Sequence, residues 1–182
     1  MNLYINGSNR KKNCYKVLYD LKNNKDKLIS LGEKNIRYCK GCSCCTNKLE
    51  SYCVIKDDMK EIYEDVIKSD KIIIASPIYM NFITGILKNV IDRLNPYSSH
   101  SEILKGKKVY LILVGQLDEE ENEEIATNIK EYFESLAEFM EFEFTFLKYL
   151  SSGDVETIDN VSKNNNNYDI IIEEIKKQIE II

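Results

Sequence analysis

Two hydrophobic patterns alternate along the chain. Short, nearly continuous apolar runs predict buried strands at residues 3–6, 28–31, 71–75 and 109–114. Between and after these runs, apolar residues recur every three or four positions, which predicts amphipathic helices at residues 14–21, 59–67, 83–94, 125–140 and 171–182. This alternation of strand and helix predicts a parallel sheet covered by helices on both faces.

Two local signals refine this pattern. Phe142, Phe144 and Phe146 alternate with polar residues, so the fifth strand is expected to have one face in solvent, as at a sheet edge. Asp58, followed three residues later by Glu61, predicts a capping box at the start of the second helix.

The predicted elements define the fold class. It is α/β, a flavodoxin-like three-layer sandwich with a five-stranded parallel sheet of order 2-1-3-4-5. We prefer this order to a Rossmann order because the pattern has five strands and no Gly-x-Gly-x-x-Gly motif. Without an internal repeat, residues 1–182 are expected to form a single domain. Ligands of such sheets bind beyond the carboxyl ends of the strands, so the loops after strands one, three and four are the candidates.

The loop after the first strand contains the groups that a phosphate needs. Gly7, Ser8 and Arg10 supply a flexible backbone, a hydroxyl and a guanidinium, and Asn13 lies where the first helix begins. Backbone amides at a helix N-terminus and a bidentate cation favour a bound dianion. The alternative is a basic surface turn, because Gly-Ser-x-Arg alone is a weak signal.

The loop after the third strand is suited to a flat aromatic ligand. Residues 76–82 combine a stiff Pro77 with apolar and aromatic side chains, including Tyr79 and Met80. The alternative is that these residues only close the next helix onto the sheet. Gly115, which follows the fourth strand, is expected to let the backbone approach a bound ring.

Five of the six cysteines lie within fifteen positions. Cys39, Cys42, Cys45 and Cys53 have the spacing Cys-x2-Cys-x2-Cys-x7-Cys, with Cys44 as a competitor. Four thiolates on one loop suit an iron–sulfur cube or a tetrahedral zinc ion. A reduced, partly buried loop without metal is the equally weighted alternative. Cys14 belongs to the first helical stripe and is expected to be buried core.

Composition excludes several functions. The net charge of −5 over 182 residues argues against a nucleic-acid partner, and the longest apolar run is far too short to span a membrane. Residues 1–20 carry Arg10, Lys11 and Lys12 without an apolar run after them, so we expect no secretory signal and a cytoplasmic protein whose cysteines are reduced. The only histidine, His100, lies in a serine-rich loop after Arg93 and is expected at the surface, and the acidic residues 118–124 are expected to begin the fourth helix.

Five motifs occur in a characteristic order: Gly7-Ser8-Asn9-Arg10, Cys39-Lys40-Gly41-Cys42, Cys53-Val54-Ile55-Lys56-Asp57-Asp58-Met59, Ser76-Pro77-Ile78-Tyr79 and Leu87-Lys88-Asn89-Val90-Ile91-Asp92-Arg93. With these motifs the chain resembles the NADPH-dependent FMN reductase family, specifically its iron–sulfur flavoprotein branch. The resemblance implies FMN as cofactor and a homodimer or dimer of dimers. It assigns the FMN phosphate to Ser8, Arg10 and Asn13. It assigns the flavin ring to Pro77, Ile78, Tyr79, Met80 and Asn81. It also implies a 4Fe-4S cluster on Cys39, Cys42, Cys45 and Cys53.

The functional expectation is an FMN-dependent oxidoreductase. NAD(P)H or a protein donor reduces the flavin, which then reduces a small acceptor or a protein partner. The alternative from another class is a non-enzymatic iron–sulfur flavoprotein that acts as an electron carrier or redox sensor. A third possibility is a divergent member of the family that has lost its flavin.

Overall fold

A single twisted sheet organises the molecule. The computed structural model describes residues 1–45, 52–98, 101–116, 120, 122–153 and 159–181. Its strands are β1 (Asn2–Asn6), β2 (Lys27–Ser30), β3 (Lys71–Tyr79), β4 (Phe82–Ile83), β5 (Lys108–Gly115) and β6 (Glu143–Ser151). The parallel strands have the order β2-β1-β3-β5-β6, and the short β4 pairs antiparallel with β3. The flavodoxin-like order 2-1-3-4-5 predicted for five parallel strands is therefore confirmed.

Helices cover the sheet between the strands. They are α1 (Asn13–Leu21), α2 (Met59–Lys68), α3 (Gly85–Asp92), α4 (Asn95–Ser98), α5 (Glu123–Met140), α6 (Val161–Asn164) and α7 (Tyr168–Ile181). Single 3-10 turns lie at Leu31–Glu33 and Ser101–Ile103. Within the ranges described, no helix combines the length and the apolar character that crossing a lipid bilayer requires.

The hydrophobic core lies in two layers, one on each side of the sheet. Successive residues of a strand point to opposite faces, so Leu3 and Ile5 pack with α2, α3 and α5, while Tyr4 packs with α1 and α7. Both faces of β3 and β5 are buried, which explains why these two strands have continuous apolar runs in the sequence.

The third strand is longer than its sequence pattern indicates. We expected Ser76 and Pro77 to end it, but β3 continues to Tyr79 and turns back into β4. Met80 and Asn81 form the two-residue turn with φ values of 49° and 62°. Such a hairpin turn needs left-handed backbone at both positions and usually contains glycine. Because this turn has none, the hairpin was not recognisable from the sequence.

The predicted capping box at the start of α2 is wrong. The Asp58 carboxylate does not cap the helix but accepts the amide of Asn35 at 2.7 Å. The neighbouring Asp57 instead accepts the amide of Met59 at 3.2 Å. The Glu61 carboxylate is held by Lys27 and Lys34, at 3.1 and 2.6 Å, and so does not reach back to the helix start.

The edge strand β6 contains an irregularity. Phe146 pairs with Leu111, but the next pair along the ladder joins Lys148 to Ile112, so Leu147 is one extra residue. Such a bulge shifts the phase of the side chains that follow it. Phe144 and Phe146 pack with one core layer, while Leu147 and Leu150 pack with the other.

Candidate functional site

The two loops proposed from the sequence meet at one cavity. The cavity has a volume of about 140 Å³ and lies at the carboxyl ends of β1, β3 and β5. Its lining residues among those described are Ser8, Arg10, Lys12, Asn13, Cys14, Pro77, Ile78, Tyr79, Val114, Gln116 and Ser152. Six of the nine predicted flavin-site residues therefore line one cavity, at the place where a doubly wound sheet binds ligands.

The first loop is shaped by the buried side chain of Asn6. Its Oδ1 accepts the amide of Ser8 at 3.2 Å, and its Nδ2 donates to the carbonyl of Arg10 at 3.2 Å. The Ser8 hydroxyl in turn accepts the amide of Arg10 at 3.1 Å. Gly32 packs directly against this loop, because a Cβ at this position would lie 2.5 Å from the carbonyl oxygen of Asn9. The sequence patterns had singled out neither Asn6 nor Gly32.

The amino end of α1 has the electrostatics of an anion site. No side chain of the described residues caps its first turn, and Lys12, Asn13 and Cys14 at this end line the cavity, so the positive end of the helix dipole lies at the cavity rim. Arg10 and Lys12 add two cations at the cavity wall. Both cations pair with Asp159, which lies 3.1 Å from Arg10 and 3.6 Å from Lys12. The arrangement matches the donors and charges that a phosphate requires.

Thr84 connects the first loop to the second. Its hydroxyl donates to the carbonyl of Gly7 and also accepts the amide of Leu87 at 3.2 Å, which caps α3. The β3–β4 hairpin and the loop after β1 are thereby fixed to each other. A threonine directly before an apolar helical stripe is a recognised N-cap signal, so the sequence does contain the information needed to find Thr84.

The five residues predicted to contact the flavin ring fall into two groups. Pro77 and Ile78 are half-buried and Tyr79 is 44% exposed, and all three line the cavity. Met80 is 97% exposed and Asn81 is also exposed, because both form the tip of the hairpin, and neither lines the cavity.

Gly115 has a packing reason for its missing side chain. A Cβ there would lie 2.0 Å from the hydroxyl of Tyr149, so this tyrosine occupies the space that any larger residue would need. Gly115 is not among the described residues that line the cavity, although its neighbours Val114 and Gln116 are.

Cys14 is buried, as its helical stripe predicted. Only 2% of its surface is exposed, and burial raises the pKa of its thiol to about 12. It therefore stays protonated at neutral pH and has the character of a core residue.

The four cysteines proposed as metal ligands are not assembled into a site. All six cysteines are free, with Cys39 and Cys42 exposed and Cys45 and Cys53 half-buried. In the part of the chain that the structure describes, no three His, Cys, Asp or Glu side chains are grouped so that they could hold a metal ion. The predicted ligand set is therefore not preassembled among the described residues.

The segment that carries these cysteines, residues 39–53, is tied down at both ends by Arg93. The guanidinium donates to the carbonyl of Arg37 at 2.6 Å and to both carboxylate oxygens of Asp57, at 3.0 and 3.1 Å. Asp57 also accepts the amide of Arg37 at 2.9 Å. Burial alone would raise the pKa of Asp57, but the hydrogen bonds from Arg93 and from backbone amides outweigh it and lower this pKa. The buried guanidinium of Arg93 thus holds together the residues before and after the segment.

Within the segment, the Cys45 sulfur has a polar contact with a later helix. The side-chain amide of Asn95, at the start of α4, donates to the Cys45 sulfur at 3.0 Å.

His100 and residues 118, 119 and 121 of the acidic run lie outside the described residues, and α5 begins at Glu123.

These features together define a class of protein. A doubly wound sheet with an anion-binding loop after its first strand and an aromatic loop after its third is a flavodoxin-like protein built to bind a mononucleotide. The model of the family described as NADPH-dependent FMN reductase matches residues 2–124, and the chain belongs to this family.

Curated relatives agree with this assignment, and a solved structure shares the fold. The chain is 38% identical over 88 residues to an iron–sulfur flavoprotein of Methanocaldococcus jannaschii, which covers 48% of the chain and 44% of that protein. It is 34% identical over 118 residues to an iron–sulfur flavoprotein of Methanosarcina thermophila, covering 61% of each. The chain thus spans less than two thirds of either relative. Among solved structures, an FMN-dependent NADH-azoreductase from Bacillus anthracis in complex with FMN superimposes with a TM-score of 0.61 at 13% identity, covering 97% and 98% of the two chains.

Proposed function

We propose that the protein is an FMN-dependent oxidoreductase that binds one FMN in the cavity at the carboxyl edge of the sheet. The observation that carries this proposal is that one cavity joins Ser8, Arg10 and Asn13 of the first loop to Pro77, Ile78 and Tyr79 of the third-strand loop. The family to which the chain belongs supports the same conclusion.

The residues of the two loops have separate tasks in this proposal. Arg10, Lys12 and the amides at the start of α1 hold the phosphate, and the Asn6 side chain keeps their loop in shape. Pro77, Ile78 and Tyr79 lie against the ring and keep water from one side of it. Bound FMN supplies the electron transfer itself. NAD(P)H or a protein is the proposed donor, and a small molecule or a protein is the proposed acceptor.

The test is a titration of the apoprotein with FMN. Arg10→Ala should weaken binding about tenfold, at the lower end for a charged hydrogen bond because the Arg10 side chain is half exposed. Lys16→Ala is the matched control, since Lys16 is a cation of similar exposure six positions later, but it pairs with Asp20 and does not line the cavity. Equal affinities in wild type and Arg10→Ala would count against the site.

A second proposal concerns the cysteine segment. We propose that it holds a 4Fe-4S cluster and makes the protein an iron–sulfur electron carrier or redox sensor. The spacing of Cys39, Cys42, Cys45 and Cys53 supports it, as do the relatives described as iron–sulfur flavoproteins. The described side chains do not form such a site, so loading would require these cysteines to rearrange. Steady oxidation of NAD(P)H with a free acceptor favours the enzyme over the carrier.

Assembly is a separate proposal. On the resemblance to the family we propose a homodimer or a dimer of dimers in a reducing cytoplasm, without nucleic-acid or membrane partners. Sedimentation of the purified protein measures the oligomeric state directly.

A further inference from the structure

A carboxylate of the chain already forms ion pairs with both cations of the proposed phosphate site. Asp159 Oδ1 lies 3.1 Å from Arg10 Nη1, and its Oδ2 lies 3.6 Å from Lys12 Nζ. Arg10 and Lys12 both line the cavity, and their side chains are about half exposed. A guanidinium and an ammonium aimed at the cavity rim are thus neutralised in part by the chain itself.

The residues that follow Asp159 are held by contacts on two sides. Two residues later, the amide of Val161 donates to the Asn13 side chain at 3.1 Å in a buried hydrogen bond. Asn165 then donates to the carbonyl of Val161 at 2.7 Å and accepts the amide of Ser151 at 3.1 Å. The short helix α6 is therefore fastened to both α1 and β6, and it presents Asp159 to the loop.

We propose that Asp159 is a competing internal anion that sets the affinity and selectivity of this site for phosphate-bearing ligands. The inference rests on the proposed function. The Asp159 carboxylate and a phosphate dianion compete for the Arg10 guanidinium, and the two anions repel each other at close range. A ligand phosphate therefore has to displace Asp159 from Arg10, whereas a ligand without phosphate leaves that pair intact.

Asp159→Asn tests the inference because it removes the charge and keeps the size. FMN should bind the variant about three- to tenfold more tightly than it binds wild type. Riboflavin, which lacks the phosphate, should bind both proteins equally. The difference for FMN should shrink at high ionic strength, because exposed charges are screened. A merely structural role of Asp159 would not produce this dependence on phosphate and salt.

Glu33→Gln is the matched control. Glu33 is also exposed and also pairs with a lysine of the same loop, Lys11 at 2.7 Å, but neither residue lines the cavity. An equal gain in FMN affinity in both variants would mean a general effect of charge and would overturn the inference. Weaker FMN binding, or tighter riboflavin binding, by Asp159→Asn would overturn it as well.

Failure of the proposed function can be told apart from failure of this inference. If neither wild type nor Asp159→Asn binds FMN, the proposed function is wrong, and thermal denaturation in inorganic phosphate then decides about Asp159. A larger rise of Tm in the variant than in wild type supports a competing anion. Equal rises in the two proteins overturn it.

Discussion

Arg93 and Asp57 form a bidentate ion pair that is closed to solvent, with 0% and 1% of their side chains exposed. They are separated by 36 positions in the sequence, and the cysteine segment precedes Asp57. Tyr63 donates its hydroxyl to the Arg93 carbonyl, which fixes the residue from a second side. The pair therefore joins α2, α3 and the base of the cysteine segment into one unit.

Breaking this pair should be costly. Arg93→Met leaves the buried Asp57 carboxylate with only its longer ion pair, to the half-exposed Arg37 at 3.8 Å, and we expect a loss of about 3–5 kcal/mol in the free energy of unfolding, measured with urea. The double variant Arg93→Met, Asp57→Leu should recover part of that loss, because no buried charge remains. Asp92→Asn is the control, since Asp92 is the neighbour of Arg93 and its pair with Lys88 is exposed. A loss for Arg93→Met as small as that of the control would contradict this interpretation.

A side chain at Gly32 should displace the loop after β1. In Gly32→Ala the new methyl group meets the backbone of Asn9 at 2.5 Å, so the loop has to shift. We expect a loss of about 1–3 kcal/mol in stability together with weaker FMN binding. Gly85→Ala serves as the control, because a Cβ at Gly85 has open space around it. Unchanged FMN affinity in Gly32→Ala would show that the loop tolerates the shift.

Tyr79 and Met80 are adjacent but should behave differently. Tyr79→Ala removes part of the cavity wall and is expected to change the fluorescence and the reduction potential of bound flavin while the helical circular dichroism is retained. Met80→Ala should leave all three unchanged, because Met80 projects from the hairpin tip. If Met80→Ala alters the flavin as strongly as Tyr79→Ala, the hairpin closes over the ring on binding and the cavity seen here is incomplete.

The cysteine segment is tested by anaerobic reconstitution with iron and sulfide. Loading of about four irons per chain that survives Cys44→Ser but not Cys45→Ser supports the proposed ligands. The two variants are well matched, because they replace neighbouring cysteines of similar exposure. No bound iron under these conditions, or zinc in its place, contradicts the cluster.

Much of the fold was predictable because its signals are local. Helical stripes and continuous apolar runs located the main helices and the five parallel strands, and the loop after β1 was identified from its own residues. The hairpin at Met80 was missed because its turn lacks glycine.

Long-range pairs carry no such local signal. Arg93 with Asp57, and Arg10 with Asp159, are brought together only by the folded chain, so spacing along the sequence does not reveal them. The capping box failed for a related reason, since a distant amide, that of Asn35, takes the Asp58 carboxylate.

The extra residue in β6 decides which face of the sheet each later side chain of the strand takes. After Leu147 the inward and outward positions are exchanged, and this is why Tyr149 packs on the same layer as Phe144 and reaches Gly115. Deleting Leu147 would leave a regular ladder in which Tyr149 and Leu150 keep their partners, Leu113 and Val114, and their faces of the sheet. A one-residue deletion at this position should therefore cost mainly the burial of the Leu147 side chain, which is 8% exposed.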